Sequence, residues 1–221
     1  MKPRQLVIYG GSGFAREVAW LAHSCTQDKA LYEVTAFADD NLAAHGTAIN
    51  RIPVMSLAAA RQQFPAARIV VGVGNPGTRQ RMVEKAALEG FAFETLIHPR
   101  VEMSEWVTVG EGGVICAGNI LTVNINLGQQ VQINLDCTIG HDVEMGEYTT
   151  LTPGVHVSGW VHFGKRAYVG TGAVIINGTK DAPLIIGDDA VIAAGACVIK
   201  SVPAGATVAG VPGKIIKTNK E

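Results

Sequence analysis

The hydrophobic positions follow two different rhythms, and the change comes just before residue 97. From Ile97 onward every sixth residue is apolar: Ile97, Met103, Val109, Ile115, Leu121, Leu127, Ile133, Ile139, Met145, Leu151, Val157, Phe163, Val169 and Ile175. In a chain that is 48% hydrophobic an unbroken run of this length at one phase is not a chance event, so the period belongs to the fold. Glycine follows the sixth position at 110, 128, 140, 146, 164 and 170, which predicts corners using a backbone conformation unfavourable for other residues. The phase breaks after Ile175 and resumes at Ile186, Ile192 and Val198, so five surplus residues around Asn177, Gly178, Lys180 and Pro183 are expected to bulge out as a loop. Three hexads make one coil of a triangular solenoid. About five coils are expected, with neighbouring strands roughly 4.8 Å apart and the sixth-position side chains in a central column.

Before residue 97 the pattern is that of alternating strands and helices. RQLVIYGGSGFAREVAWLAHS reads as a buried strand, a glycine turn and an amphipathic helix, and EVTAFADD as a second strand. SLAAARQQF supplies a short helix, ARIVVGVGNP repeats the strand-to-turn theme, TRQRMVEKAALEG is a helix and FETLI a short final strand. The expectation is a Rossmann-like α/β domain over residues 1–95, with functional loops at the C-terminal ends of its strands, followed by a parallel β-helix with a C-terminal tail over 96–221.

Charge and composition narrow the partners. With 18 Lys+Arg against 19 Asp+Glu the net charge is -1, so the chain lacks the basic excess that signals nucleic acid or anionic lipid. No apolar run approaches the roughly 18 residues of a membrane span, and the chain reads as cytoplasmic. Cys25, Cys116, Cys137 and Cys197 lie far apart without CxxC spacing and are read as small apolar fillers.

Several residues are candidates for chemistry. Gly11, Ser12 and Gly13 run into a helix whose first N–H groups lack partners, a seat for a phosphate or carboxylate; the alternative is an ordinary tight turn. A dinucleotide fingerprint would need a third glycine where Arg16 stands. Asp39 and Asp40 end the second strand and can accept hydrogen bonds from a nucleobase or ribose, or be a solvated pair in a turn; Asn75 and Arg79, after the third strand, carry the same ambiguity. His141, in the corner IGHD, can act as a base near neutral pH, with Asp142 orienting the ring; an idle corner histidine is the alternative. The other histidines form no metal-like constellation, and no serine sits in a GxSxG elbow, so direct transfer is preferred to a covalent enzyme.

The chain resembles bacterial nucleotide-sugar acyltransferases of the sialic acid O-acetyltransferase and UDP-4-amino-sugar N-acetyltransferase type, members of the hexapeptide-repeat superfamily. The resemblance covers nearly the whole sequence, through GGSGFAREV, FADDN, GVGNPGTRQRM, LIHP, NLDCTIGHDVEMGEYTTLTPGVHVSG and VPAGATVAGVPGKII. It implies a left-handed solenoid, although general crossover rules predict the other hand. It also implies a homotrimer using acetyl-CoA and no metal, on a nucleotide-linked amino sugar, in polysaccharide biosynthesis. His141 becomes the general base with Asp142 supporting the imidazolium, and Asn134 matches an asparagine near the acceptor. Gly159 and Thr171 match positions along the pantetheine arm, Ala194 one near the nucleotide end, and Pro212 and Lys214 the adenine and phosphate end. Gly159 N–H is the expected oxyanion donor. Many relatives carry a second histidine nine residues after the base, contacting the acetyl carbonyl, where this chain has Thr150, whose hydroxyl still donates one hydrogen bond. In the N-terminal domain the glycine turn matches the phosphate-facing loop and Asp39 and Asp40 the uracil-binding end, which favours UDP. The expected activity is N-acetylation of a UDP-linked amino sugar. The alternatives are O-acetylation of a sialic-acid-type sugar and a solenoid that binds without turnover.

Overall fold

The computed structural model describes residues 2–25 and 31–218 and divides into two compact units, Met1–Pro99 and Arg100–Glu221. In the first, β1 (Arg4–Tyr9) is followed by α1 (Gly13–Ser24), β2 (Tyr32–Ala38), β3 (Ala48–Ile49), β4 (Ile52–Met55), α2 (Leu57–Gln63), β5 (Arg68–Val71) and α3 (Pro76–Leu88). The strands form one sheet in the order β3-β4-β2-β1-β5, parallel except for β3, which is antiparallel to β4. Leu6, Val7, Ile8 and Tyr9 are fully buried, as a continuous apolar run in a central parallel strand requires. β1 hands the chain to β2 on one side and β5 lies on its other side, so the strand order reverses at β1. Ligands gather at such a switch point, beyond the carboxyl ends of the strands. Strands β3 and β4 were not expected. Their hairpin turns on Asn50 and Arg51, both with positive φ (48° and 70°), and lacks the Asn-Gly signal that announces such a turn in sequence.

The second unit is a three-faced parallel β-helix. One face stacks Glu102–Met103, Ile120–Leu121, Thr138–Ile139, His156–Val157, Val174–Ile175 and Cys197–Val198. Register partners are 18 residues apart, as in Thr138↔His156 and His156↔Val174, until Val174↔Cys197, where the offset grows by the five residues of the expected loop. From Ile115 to Val198 every sixth-position side chain is at most 5% exposed. Met103, 42% exposed, departs from the column because its strand pairs on one side only.

The corner glycines have a different reason from the expected one. From Val109 to Val169 positive φ falls three residues after each column residue, at Gly112, Gly118, Asn124, Gln130, Asp136, Asp142, Tyr148, Gly154, Trp160, Arg166 and Gly172, and again at Asp189 and Gly195 beyond the insertion. The glycines directly after the column are needed for space. A Cβ on Gly110, Gly146 or Gly170 would lie 2.6, 2.5 and 2.4 Å from backbone atoms of the next coil. Stacked coils therefore approach most closely at the first corner position and bend at the third.

Asn119 is a buried polar residue that the periodic reading overlooked. It is fully buried, donates from Nδ2 to the carbonyls of Cys116 (2.7 Å) and Asn134 (2.8 Å), and accepts the Cys137 N–H (2.8 Å). Replacing it by alanine strands an N–H and two carbonyls where water does not reach. Asn119→Ala is expected to lower stability by about 2–4 kcal/mol in equilibrium urea unfolding, and an unchanged midpoint would show that the corner satisfies these groups in another way.

Candidate active site

His141 stands at the second position of a solenoid corner and Asp142 at the third, where φ is 57°. That left-handed turn swings two consecutive side chains toward one another, which a strand would not do. His141 Nδ1 lies 2.7 Å from Asp142 Oδ2, and Asn124 Nδ2 donates to Asp142 Oδ1 at 3.1 Å. Asn124 is Asp142's counterpart one coil earlier; its separation of 18 residues was the signal that would have found it. An ionised carboxylate only accepts, so Nδ1 carries the proton and the neutral ring presents a lone pair at Nε2. The hydrogen bond from His141, then that from Asn124 and the charges of His141 and Lys180, hold the Asp142 carboxyl below the usual carboxylate range against a smaller opposing effect of desolvation.

The imidazole rests on the next coil. A Cβ on Gly159 would lie 2.5 Å from His141 Cε1 and 2.6 Å from Nε2, so the ring occupies the space a side chain there would fill. Trp160 meets the ring edge-on at 6.3 Å between centroids. Gly159 C=O accepts Gly178 N–H at 3.0 Å, and no described residue accepts the Gly159 N–H. The His141 side chain remains 54% exposed. Cys137, four residues earlier, is fully buried and its thiol is pushed up to about 11 by burial, which removes it as a thiolate nucleophile at neutral pH.

The remaining solenoid residues singled out from the sequence lie elsewhere in the chain. Asn134, Thr171 and Ala194 share a different corner, where Thr171 also donates to Thr152 Oγ1 at 3.3 Å. Asn134 Oδ1 is engaged by the Leu135 N–H at 2.8 Å. Thr150 is 3% exposed on a flat face, so within one chain its hydroxyl is not presented at the His141 corner. Pro212 follows a cis peptide bond in the turn before the last strand, Lys214–Thr218, whose exposed first residue is Lys214.

In the first unit a pocket of about 430 Å³ opens at the strand ends, lined by Gly10, Gly11, Ser12, Asp39, Asp40, Val73, Thr78, Arg81, Met82 and Lys85. Gly11, Ser12, Asp39 and Asp40 are thus brought together, and Gly13 starts α1 beside them. A Cβ on Gly11 would lie 2.5 Å from Asp39 Oδ2 and would have to displace that carboxylate. Asp40 accepts the Tyr9 hydroxyl at 2.9 Å and pairs with Lys85. Burial by itself would raise the Asp40 carboxyl, but the hydrogen bonds from Lys85 and Tyr9 and the nearby positive charge outweigh it and hold the group low. Tyr9 is pushed up by burial and then by Asp40, so it stays a donor. Asn75 does not line this pocket: its side chain caps α3 by accepting the Thr78 N–H at 2.9 Å, and fully buried Arg79 braces the preceding loop through the Val73 and Gly74 carbonyls. Lys85 and Arg81 were missed because helical spacing carried no hint that one face of α3 lines the pocket. A larger groove of about 590 Å³ beside α1 and β2 is lined by Arg16, Trp20 and Tyr32 among others and holds none of the predicted residues. Among the described residues no group of three or more His, Cys, Asp or Glu is placed to hold a metal ion, and no helix is long and apolar enough to cross a membrane.

Comparison with known proteins bears on both units. Residues 5–86 match the PglD N-terminal domain family. Over 216 residues, 95% of each chain, the protein is 33% identical to GDP-perosamine N-acetyltransferase of Escherichia coli O157:H7. The chain belongs to the hexapeptide-repeat nucleotide-sugar acyltransferases. Among solved structures of such enzymes, PerB from Caulobacter crescentus in complex with CoA and GDP-perosamine aligns with a TM-score of 0.85 at 30% identity, covering 96% of this chain and 97% of that one. The acetyltransferase domain of PglB from Neisseria gonorrhoeae, in complex with acetyl coenzyme A, aligns with a TM-score of 0.84 at 29% identity, covering 97% and 100%. As in this family, the first unit is Rossmann-like and the solenoid is a left-handed parallel β-helix, the hand the resemblance implied and the general crossover preference did not.

The tight seat of the imidazole is open to test. In Gly159→Ala the new methyl must push the His141 ring aside. The obstruction is the end of a movable side chain, so the unfolding free energy should change by less than about 1 kcal/mol. The ring resonances of His141 in NMR spectra should move substantially, and unchanged resonances would contradict the packing described here.

Proposed function

We propose that this acyltransferase moves an acetyl group from acetyl-CoA directly to the amine of a nucleotide-linked amino sugar, with His141 as general base. The observation that carries this reading is the His141–Asp142 pair, whose Nε2 lone pair is open above Gly159. The acceptor nitrogen attacks the thioester carbonyl as Nε2 takes its proton. The C–N bond forms, the C–S bond breaks, and the proton passes to the departing CoA sulfur. Asp142, steadied by Asn124, stabilises the imidazolium, and the Gly159 N–H faces the developing oxyanion. The relatives that hold CoA or acetyl-CoA, and the N-acetyltransferase activity in their names, support this over O-acetylation.

The pocket of the first unit takes the nucleotide. The Gly11–Gly13 turn and the start of α1 face the diphosphate, with Arg81 and Lys85 adding positive charge, and Asp39 and Asp40 face the base. UDP is the nucleotide implied by the sequence motifs. GDP is the second reading, because GDP-perosamine is the sugar in the names of two relatives, and both bases offer ring N–H donors to a carboxylate.

The distribution of the remaining residues supports a homotrimer. Gly159 lies at the His141 corner, whereas Thr171 and Ala194 lie at another, a face of roughly five extended residues, or about 15 Å, away. One CoA touches both sets when the corner of one copy meets the other corner of its neighbour, which a threefold arrangement of triangular prisms provides.

His141→Ala is expected to lower kcat by about 10²- to 10⁴-fold, roughly 3–5 kcal/mol of barrier, with folding intact, in an assay of thiol release from acetyl-CoA. An unchanged rate would remove His141 from the mechanism. UDP and GDP, compared as inhibitors competing with the sugar nucleotide, are expected to differ at least about tenfold in affinity in favour of UDP, and tighter binding of GDP would assign the pocket to guanine.

A further inference from the structure

The five surplus residues of the solenoid are not placed at random. They replace the corner in the coil that follows Ser158, Gly159 and Trp160, directly in line with the corner that carries His141. Both ends of the insertion are tied to that coil: Gly178 N–H donates to Gly159 C=O at 3.0 Å, and Leu184 N–H to Trp160 C=O at 2.9 Å. Its tip is a closed turn. Thr179 N–H donates to Ala182 C=O at 3.0 Å, Ala182 N–H returns to Thr179 C=O at 3.2 Å, and Thr179 Oγ1 accepts the same Ala182 N–H at 3.1 Å. Lys180 and Asp181 occupy the apex, both exposed, and Lys180 forms no ion pair among the described residues. An ammonium on a turn tied at both ends is thereby kept near the catalytic corner at little further entropic cost.

The groups packed around the imidazole can be named by element. Its own corner supplies Asp142, the preceding coil Asn124, and the following coil Gly159 and Trp160; the loop that bears Lys180 and Asp181 is tied to that following coil through Gly178 and Leu184. Of the charged groups, His141 and Lys180 are those whose field acts on Asp142. A positive charge beside the pair opposes protonation of the ring while keeping the carboxylate ionised.

We propose that Lys180 is a positioning residue of this acyltransferase, held by the inserted loop so that its positive charge keeps the His141–Asp142 pair in the neutral-imidazole, ionised-carboxylate form that accepts a proton. The proposal rests on His141 being the general base. It makes the insertion part of the catalytic apparatus and assigns the cation a role through the pair, without contact to the substrate.

The sign follows from electrostatics. kcat/KM needs the unprotonated ring and falls as pH drops through its titration. Removing a nearby positive charge makes protonation easier, so the acid limb of the profile moves to higher pH. An exposed charge in a largely aqueous surrounding shifts a neighbouring titration by about a few tenths to half a pH unit, and more salt weakens it. In the full-length protein at low ionic strength, the acid limb is expected about 0.3–0.5 pH unit higher for Lys180→Ala and about 0.6–1 unit higher for Lys180→Glu, with Lys180→Arg restoring the wild-type position. The His141 ring should be titrated by NMR in the same variants without substrate. A shift below about 0.2 unit in the ring titration of Lys180→Glu overturns the proposal, as does a rise in KM for the sugar nucleotide with an unmoved ring titration, which would make Lys180 a substrate contact. A ring titration that moves while the kcat/KM profile stays in place leaves the electrostatic coupling standing and refutes His141 as the base, and with it the role in catalysis.

Discussion

The geometry of the His141 corner depends on one constraint, the repeat of 18 residues per coil that places each residue above its counterpart at the spacing of parallel strands. The repeat is enforced by the central column, because each sixth-position side chain is buried between the counterparts above and below it, for roughly 1.5–3 kcal/mol apiece relative to exposure. A slip of one residue would turn that column outward. Once the register is set, the corner positions also superpose. At the first position glycine is needed where the next coil's backbone would meet a Cβ, as at Gly110, Gly146 and Gly170, and the third takes a left-handed turn through most of the solenoid. At the second position His141 can lie flat over the next coil because Gly159 leaves the space empty.

The two units hold a carboxylate in related ways and for different ends. Asp142 is reached by an imidazole and an amide, and its remaining freedom is to follow the proton on its neighbour. Asp40 is gripped by a tyrosine hydroxyl from the end of β1, which burial keeps protonated, and by the ammonium of Lys85 from α3. The first arrangement suits proton transfer. The second suits a fixed acceptor at the edge of a pocket, since the buried tyrosine keeps its proton and goes on donating. In both, the exposed setting moderates the electrostatics, and direction is supplied by hydrogen-bond geometry more than by raw charge.

The loop interrupting the solenoid extends the same logic. A β-helix accommodates an insertion at a corner because the strands on either side keep their partners, as Val174 with Cys197 and Phe163 with Ile186 do here. The surplus residues therefore disturb nothing in the column, and the corner beside them acquires a turn with its own internal hydrogen bonds. Insertion at this corner adds polar groups beside the adjacent coil at small expense to folding.

Much was legible from the residues in order. The hexad period determined the solenoid, its column and the length of the insertion, since each coil reads the same local pattern and burial requires every repeat to comply. The glycine turn and the acidic pair were legible for a similar reason: residues next to one another at a strand end are next to one another in space. The reason for the corner glycines was not, because φ and the distance to the next coil both follow from stacking. Asn119, Asn124 and Gly159 acquire their partners across 18 residues, and Tyr9 and Lys85 reach Asp40 across 31 and 45. Asn75 resembled a ligand-binding residue in its loop and became a helix cap once α3 had a start. Sequence by itself determined which residues must be buried and where the chain must turn, since those follow from period and local conformation. Only tertiary closure decided which polar side chains meet, because a hydrogen bond depends on the distance between segments that no local pattern encodes.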